Sequence, residues 1–414
     1  MTEHIIPYGK QFITQDDIDA VVETLSADYL TQGPKILEFE TAFSEYIGCK
    51  FSVAVANGTA ALHLCAIALS INEGDKVITS PITFAATANC VRYCGGTVIF
   101  ADIDPQTYLL DINKVKSLLE NSPKGSYKGI IPVDFGGKAV DLEAFRNLAD
   151  EHGLWIIEDA CHAPGGYFKN SQNNLQNCGN GNFADLAIFS FHPVKHIATG
   201  EGGMITTNSR ELYDKLLKLR THGITRSEDE FQNSRDFANG QSNSVHYPGW
   251  YMEMQELGYN YRLTDIQAAL GLSQLKRAEE GLNRRTLIAR KYDEEFRKMP
   301  EIIAQFNELN LVPSGHAYHL YLIQTEKRLQ LYNYLKERKI FAQVHYIPTH
   351  LMPYYKELGW REGDFPCAEN YYKRCLSLPM YPSLSDEEQN YVIQSIRDFF
   401  REVKLNTNML LKDK

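Results

Sequence analysis

The feature that most limits the fold is an alternation of short apolar runs with helix-like stretches. Phe51–Ala56 (FSVAVA) is β-rich, ends in Asn57-Gly58-Thr59 and passes into a helical stretch, Ala60–Leu69. Lys76–Ile82 reads as a strand and Phe84–Tyr93 as a helix. Thr97–Ile103, Gly129–Val133, Trp155–Glu158, Ala184–Phe191 and Gly203–Thr207 are further strand-like runs, with a helical pattern over Leu142–Glu151. Near-continuous apolar strands separated by helices belong to a mostly parallel central sheet with helices on both faces. The prediction is an α/β, three-layer core.

After about Thr264 the character changes. Leu263–Leu275 has the pattern of an amphipathic helix with Thr264 as its N-cap. A long charged helix over about Ala278–Lys298 follows, then a strand (Tyr318–Gln324), a helix (Leu329–Arg338) and a strand (Phe341–Tyr346). The expected division is an N-terminal segment and large cofactor-binding α/β domain over residues 1–275, and a small C-terminal α+β domain over residues 276–414. Residues 225–249 are polar and too long for an ordinary connection. They read as an excursion that serves as a flap or a partner loop.

At 414 residues the chain can bury a large core. Its formal net charge of −10 argues against nucleic acid or anionic lipid as a partner. No apolar run approaches the roughly 20 residues that span a bilayer. The start, MTEHIIPYGKQF, lacks the basic and apolar regions of a signal peptide. A cytoplasmic protein is therefore expected. None of the eight cysteines forms a Cys-x-x-Cys pair. Cys90 and Cys94 stand one helical turn apart, a spacing that suits a metal, but buried small hydrophobes in a reduced cell is the favoured reading.

In such a sheet, ligands bind where strands end and helices begin. Four segments qualify. Asn57-Gly58-Thr59-Ala60 lets backbone N–H groups and a hydroxyl approach an anion at a helix N-terminus, or simply caps the helix. Asp159, in EDACHA, sits at a strand end where a carboxylate needs a cation or a donor. His162 stands nearby as a donor to a ligand oxygen. In FSFHPVKHIATGEGG, Lys195 has few charged neighbours, and a lysine becomes a nucleophile when burial lowers its pKa. His192 and His196 read as neutral core or ligand-facing groups rather than metal ligands, so no metal is expected. Gly258–Thr264 (GYNYRLT) precedes a helix, where Asn and Arg suit an anion or a cap. Together these pieces suggest pyridoxal 5′-phosphate, which needs a lysine, an acid for its ring nitrogen and a phosphate cradle. Phe84, in PITFAATAN, is the candidate for the ring against its face.

These motifs resemble the DegT-type sugar-nucleotide aminotransferases, which are fold type I pyridoxal-phosphate enzymes. The likeness is carried by LTQGPKILEFE, NGTAALHL, SPITFAATAN, EDACHAPGG, FSFHPVKHIATGEGGMITTN, RTHGI, ELGYNYRLTDIQAALGLSQL, QVHYIPTH and CLSLPMYP, over nearly the whole chain. The resemblance implies that Lys195 joins the cofactor covalently and carries protons, with Asp159 as its ring-nitrogen partner. It implies that His162 contacts the ring oxygen, that Phe84 stacks, and that Thr59, Ala60 and Ser190 contact the phosphate. Asn260 would reach across from a second subunit, in a homodimer with active sites at the subunit interface. Tyr8, Asp28, Tyr29, Leu30, Thr31, His345, Tyr346, Ile347 and Pro348 would line the sugar-nucleotide site, together with Thr59, Ser190 and Asn260. The segments YGKQFITQDDIDAV, LTQG and QVHYIPTH are nearest the pseudaminic acid subgroup. The implied partners are L-glutamate, as amino donor, and a UDP-linked 4-keto-6-deoxy-N-acetyl sugar aminated at C4; another dTDP-, UDP- or GDP-linked keto sugar is the alternative. Three features depart from the pattern: His196 where Pro is usual, NGTAAL where the subgroup has NSATSAL, and the length of the 225–249 excursion.

Overall fold

The structure is a computed structural model that describes residues 5–304 and 315–412. Its central sheet has seven strands: β1 (Phe51–Val55), β2 (Lys76–Thr79), β3 (Thr97–Phe100), β4 (Gly129–Ile131), β5 (Trp155–Asp159), β6 (Leu186–Ser190) and β7 (Gly203–Thr207). The spatial order is β1-β7-β6-β5-β4-β2-β3. All neighbours are parallel except β7, which runs antiparallel to both β1 and β6. The sheet is buried on both faces, as its apolar strands require: Val53, Ile78, Ile130, Ile156, Ile188 and Ile205 are all fully buried. Helices Gly58–Ala68, Ala85–Tyr93 and Leu142–His152 cover it. The first of these packs almost all of its residues inside, which is why it lacks a polar stripe.

A second apolar core gathers Ile288, Tyr292 and Phe296 of the long Ala278–Phe296 helix with Leu331, Leu376, Val392, Ile396 and the N-terminal Ile6. It surrounds a three-stranded antiparallel sheet of Ile303–Ala304, Tyr321–Gln324 and Cys375–Leu378. Leu320, Leu322, Tyr355 and Phe365 pack instead into the core of the large sheet, so the C-terminal residues contribute to both. Thr264 caps the Asp265–Leu275 helix, its Oγ1 accepting from the Gln267 N–H (3.2 Å) while Oε1 of Gln267 accepts from the Thr264 N–H (3.1 Å). The polar excursion begins and ends in a short antiparallel pair, Ile224–Thr225 with Glu253–Met254. The run expected to be a strand over 341–346 is a strand only at Ile340–Phe341, where it pairs with Ile6–Pro7. No helix among the described residues is long and apolar enough to cross a membrane.

Strand β5 carries two adjacent acids, Glu158 and Asp159, whose side chains alternate between the faces of the sheet. The ligand atoms of Asp134, Glu158 and Cys178 lie within 4.8 Å of one another, and all three residues are buried. Among the described residues no Lys or Arg pairs with either carboxyl. The Gly179 N–H donates to both Glu158 oxygens (2.9 Å each) and the Val140 N–H to Asp134 Oδ1 (2.8 Å). Two carboxyls buried so close hold a proton between them. Burial pushes Asp134 up to about 6 and Glu158 well above its ordinary range. Both folded-state values exceed the unfolded ones, so the stability the pair contributes is complete below about pH 4. It is lost as pH rises through about 6 and beyond, by roughly 1.4 kcal/mol per pH unit while only the folded state keeps the proton. Glu158→Gln removes the share of this dependence that Glu158 carries, the larger of the two. Denaturant unfolding should therefore favour the variant increasingly over wild type from pH 5 to pH 8. A difference that stays constant over that range excludes the shared proton.

Candidate active site

The carboxyl-terminal ends of β1, β5 and β6 meet at one edge of the sheet. Past β1, Asn57 caps the Gly58–Ala68 helix, its Oδ1 accepting from the Ala60 N–H (2.8 Å). The N–H groups at this helix start lack intrahelical acceptors and form a positive pole that suits an anion. The turn is tight. A Cβ on Gly203 would sit 2.6 Å from the Asn57 carbonyl carbon, and one on Gly58 3.1 Å from Ser190 Cβ. Glycine at both positions lets β7 and Ser190 close against the helix start.

Lys195 lies in the connection between β6 and β7. Its N–H donates to the His192 carbonyl (2.8 Å), and the loop is pinned by Phe191 N–H to Gly202 O (2.8 Å) and Thr199 N–H to Phe191 O (2.9 Å). Phe191 is buried against Phe39 and Phe43, at 5.2 and 5.5 Å between ring centroids. Burial lowers the proton affinity of the Lys195 amine; nearby Cys161 and Asp159 act against this, and the charge of Arg285 acts with it. Asp159 is buried at the end of β5. Its Oδ2 accepts a short bond from Thr87 Oγ1 (2.6 Å), which in turn takes a bond from Thr83 Oγ1 (2.7 Å). Its Oδ1 accepts from the Cys161 N–H (3.2 Å). Hydroxyl and amide donors hold this carboxylate, and no cation pairs with it among the described residues.

Histidines form the far wall. The Gly136 N–H donates to Nδ1 of His162 (3.2 Å), which leaves the ring proton on Nε2, 3.3 Å from the Tyr346 hydroxyl. Burial drives the pKa of His162 well below the ordinary value, so it is a neutral donor. His319 lies 4.3 Å from it, ring centroid to centroid, and burial keeps that ring neutral too. His345 Nδ1 meets Ser377 Oγ at 2.8 Å, and burial drops its pKa to about 3.

These groups enclose a cavity of about 490 Å³. Of the residues expected at the site, Thr59, Phe84, Asp159, His162, Ser190 and Lys195 line it, as do Tyr8, His345 and Tyr346. Ala60 is buried in the helix and borders a neighbouring open cleft with His63, Tyr93 and Tyr261. Asn260 is exposed and bridges to Thr221. Asp28 to Thr31 are exposed beside the Asp265–Leu275 helix, where the Leu30 carbonyl accepts from the Asp265 N–H (3.0 Å). Ile347 is exposed and Pro348 buried, and neither lines the cavity. His196 turns away and donates from Nε2 to the Ala317 carbonyl (2.7 Å). Cys90 Sγ donates to the Thr87 carbonyl of its own helix (3.2 Å).

Among the lining residues that the reading of the sequence did not single out are Thr83, Thr87, Cys161, Glu201 and His319. The first two carried a signal, a Thr pair at i and i+4 beside a strand end, which puts both on one helix face. His319 carried none, being remote in sequence from every motif around Lys195. Chemically, the cavity combines an amine of reduced proton affinity, a buried carboxylate open to a ligand cation, neutral histidine donors and an anion cradle.

Comparison with known proteins follows this chemistry. Residues 11–397 match the DegT/DnrJ/EryC1/StrS aminotransferase family. The chain is 41% identical to the spore coat polysaccharide biosynthesis protein SpsC of Bacillus subtilis, over 96% of this chain and 98% of that one. It is 36% identical to UDP-4-amino-4,6-dideoxy-N-acetyl-beta-L-altrosamine transaminase of Campylobacter jejuni, over 97% and 99%. Among solved structures it resembles Helicobacter pylori PseC, an aminotransferase involved in pseudaminic acid biosynthesis, with a TM-score of 0.84 and 30% identity over 96% of this chain and 100% of that one. A buried acid, a lysine and an anion cradle on a mostly parallel sheet are thus set in a chain that belongs to the DegT/DnrJ/EryC1/StrS family, fold type I sugar aminotransferases that depend on pyridoxal phosphate.

Proposed function

We propose that the cavity between Lys195 and Asp159 holds the pyridoxal phosphate and passes an amino group from L-glutamate to C4 of a UDP-linked 4-keto-6-deoxy-N-acetyl sugar. The observation that carries this reading is the meeting of a desolvated amine and a buried, cation-free carboxylate in one cavity. The donor set fits the cofactor. The helix start at Gly58 and Thr59, with Ser190, suits its phosphate; Asp159 suits a protonated ring nitrogen; Phe84, 62% exposed at the cavity rim, offers a face for stacking.

When bound, pyridoxal phosphate supplies an electron-accepting ring that makes a substrate Cα–H bond acidic. Asp159 keeps the ring nitrogen protonated, and Thr87 fixes which carboxylate oxygen faces inward. Lys195, its proton affinity lowered by burial, would move the proton at Cα. His162 donates from Nε2 to the ring oxygen. The histidines and Tyr346 exclude water. Tyr8, His345 and Tyr346 form the sugar side, with Asp28 to Thr31, Ile347 and Pro348 reached by the rest of the nucleotide. Two substrates use the one site in turn, a ping-pong course.

A homodimer with shared sites is part of the reading. Among the described residues, Lys195 is the single Lys or Arg that lines the cavity, while Asp159 and Glu201 line it too. The proposed ligands bring a phosphate, two carboxylates and a diphosphate. Polar and cationic groups from a second copy complete the site, Asn260 among them. The choice of sugar is supported by the Campylobacter and Helicobacter relatives. The likeness to the spore coat protein favours a second reading, a different keto-deoxy sugar nucleotide on the same chemistry.

Three outcomes test this. Lys195→Ala should lose turnover and the borohydride-trapped bond to the cofactor. Mixed in equal amount with a weakened Asn260→Ala variant, it should regain roughly a quarter of wild-type turnover, the share of intact sites when the two chains pair at random. Turnover by Lys195→Ala alone overturns the assignment, and absence of recovery removes the shared site. Asp159→Asn and Thr87→Val each remove a bond worth about 1.5–3 kcal/mol to a charged group. Each should lower kcat by roughly 10- to 100-fold without unfolding the chain; wild-type rates in both remove Asp159 from its role. Incubation with glutamate and a panel of 3-keto and 4-keto sugar nucleotides, read by product NMR, should give a 4-amino product from the UDP-N-acetyl sugar. Amination of a dTDP- or GDP-linked sugar alone selects the second reading.

A further inference from the structure

Arg285, on the Ala278–Phe296 helix, is the largest fully buried side chain among the described residues. A charge there needs a reason, because an unpaired buried ion costs several kcal/mol. Among the described residues no carboxylate lies within salt-bridge distance of it, and its Nε has no partner. Its one engaged nitrogen donates to three backbone carbonyls: Tyr318 (3.1 Å), His319 (3.4 Å) and Met380 (2.9 Å). Of the three residues, His319 lines the cavity. Tyr318 has a φ of +49°, a left-handed conformation that a bulky side chain adopts only under constraint. That turn presents His319 to the cavity and offers the Ala317 carbonyl to His196, next to Lys195. The Met380 N–H donates to the Tyr8 carbonyl (2.9 Å), and Tyr8 lines the cavity opposite.

We propose that Arg285 is a positioning residue of the reaction, a buried cation without a carboxylate partner that clamps the Tyr318–His319 turn and Met380 behind the cavity, on the His196 side of Lys195. This rests on Lys195 being the amine that joins the cofactor. Beside burial of the amine itself, the other groups facing Lys195 leave Arg285 as the one that opposes its positive charge. His162, His196, His319 and His345 are neutral, kept so by burial. Tyr8 and Tyr346 are likewise held in their neutral form. Asp159, Cys161 and Glu201 on the cavity side favour a charged lysine or are neutral, and His192 is exposed. On the other side of Lys195 a smaller cleft holds Lys10, Arg277, Arg284 and Glu280. Arg277 is paired with Asp17 (2.5 Å) and Arg284 with Asp386 (2.9 Å), and Lys10 is exposed. Arg285 alone among these cations is both fully buried and without a carboxylate. Its charge and the burial of Lys195 act in the same direction on the lysine.

The test uses the full-length chain freed of cofactor and follows, from pH 6 to pH 10, the rate at which it rejoins pyridoxal phosphate. In that step the Lys195 nitrogen bonds to the aldehyde carbon and the aldehyde oxygen leaves as water, which requires the neutral amine. Borohydride reduction and peptide mapping assign the bond to Lys195. Wild type should show a pH midpoint clearly below the ordinary lysine value of about 10.4. Arg285→Gln keeps amide donors but not the charge; its midpoint should rise by about one unit, a tenfold slower reaction on the acid side. Arg285→Lys keeps the charge and should stay near wild type. An Arg285→Gln chain that melts like wild type with an unmoved midpoint overturns the proposal. Should that variant fail to fold, a wild-type midpoint at the ordinary lysine value overturns it alone. A wild-type chain that takes up no cofactor at Lys195 refutes the underlying assignment instead.

Discussion

The antiparallel strand β7 is the constraint on which the site depends. It lies between β1 and β6, with Gly203 opposite both Val55 and Ser190. Neighbouring antiparallel strands can be joined on one edge, whereas parallel ones need a crossover to the far edge. The chain leaving Ser190 therefore stays at the carboxyl-terminal edge for the length of one loop. That loop carries Lys195. The parallel neighbour β5 delivers Asp159 to the same edge, level with Ile188. Had β7 run parallel, a helix would separate Ser190 from Gly203, and the lysine would have no reason to face the acid.

Around this pair the chain spends few charges. Lys195 and Asp159 line one cavity whose far wall is made of neutral histidines. A neutral ring with one nitrogen fixed by a backbone N–H, as Gly136 fixes His162, is a directed donor that adds no field of its own. The same economy explains why Thr87, and not an arginine, holds Asp159. A cation there would satisfy the carboxylate and leave it nothing to offer a ligand. In a site of low dielectric, a hydroxyl bond orients the acid while its charge stays available.

How much of this was legible in the sequence follows from how local each signal is. Every strand of the large sheet falls inside an apolar run except β5, which extends one residue further to Asp159, and Thr264 is found as a cap, because both signals depend on a few adjacent residues. The ends were over-read. Lys76–Ile82 stops at Thr79, since Pro81 has no N–H for the ladder, and the strand over 341–346 shrinks to Ile340–Phe341 because only Ile6–Pro7 is there to pair with it. Thr59, Asp159, Ser190 and Lys195 were legible for the same local reason, each standing at a strand end or helix start. His319 and Arg285 were not, because their positions are set by a turn and a helix of the second core. The excursion was legible as an excursion but not as an ordered one. Its order comes from Glu253, buried, whose carboxylate accepts the Gln232 and Asn233 N–H groups, and from Phe231, Tyr247 and Tyr251 packed together.

The two halves of the cavity are joined by a continuous path of hydrogen bonds. The Thr349 N–H donates to the Pro81 carbonyl (2.8 Å) and its hydroxyl to the Thr83 carbonyl (3.4 Å). Thr83 continues to Thr87 and so to Asp159. The segment that carries His345 and Tyr346 is thereby registered against the acid, and Tyr371 holds its His345 carbonyl from behind (2.7 Å). What remains unregistered is the rim. Phe84, His192 and Glu201 line the cavity and are exposed. A site that must take an amino acid and then a sugar nucleotide needs that division. The atoms that exchange the amino group must be held alike for both partners, and the surface that meets the dissimilar remainder of each must be free to differ. The tied segments meet the first requirement, and the exposed residues at the mouth meet the second.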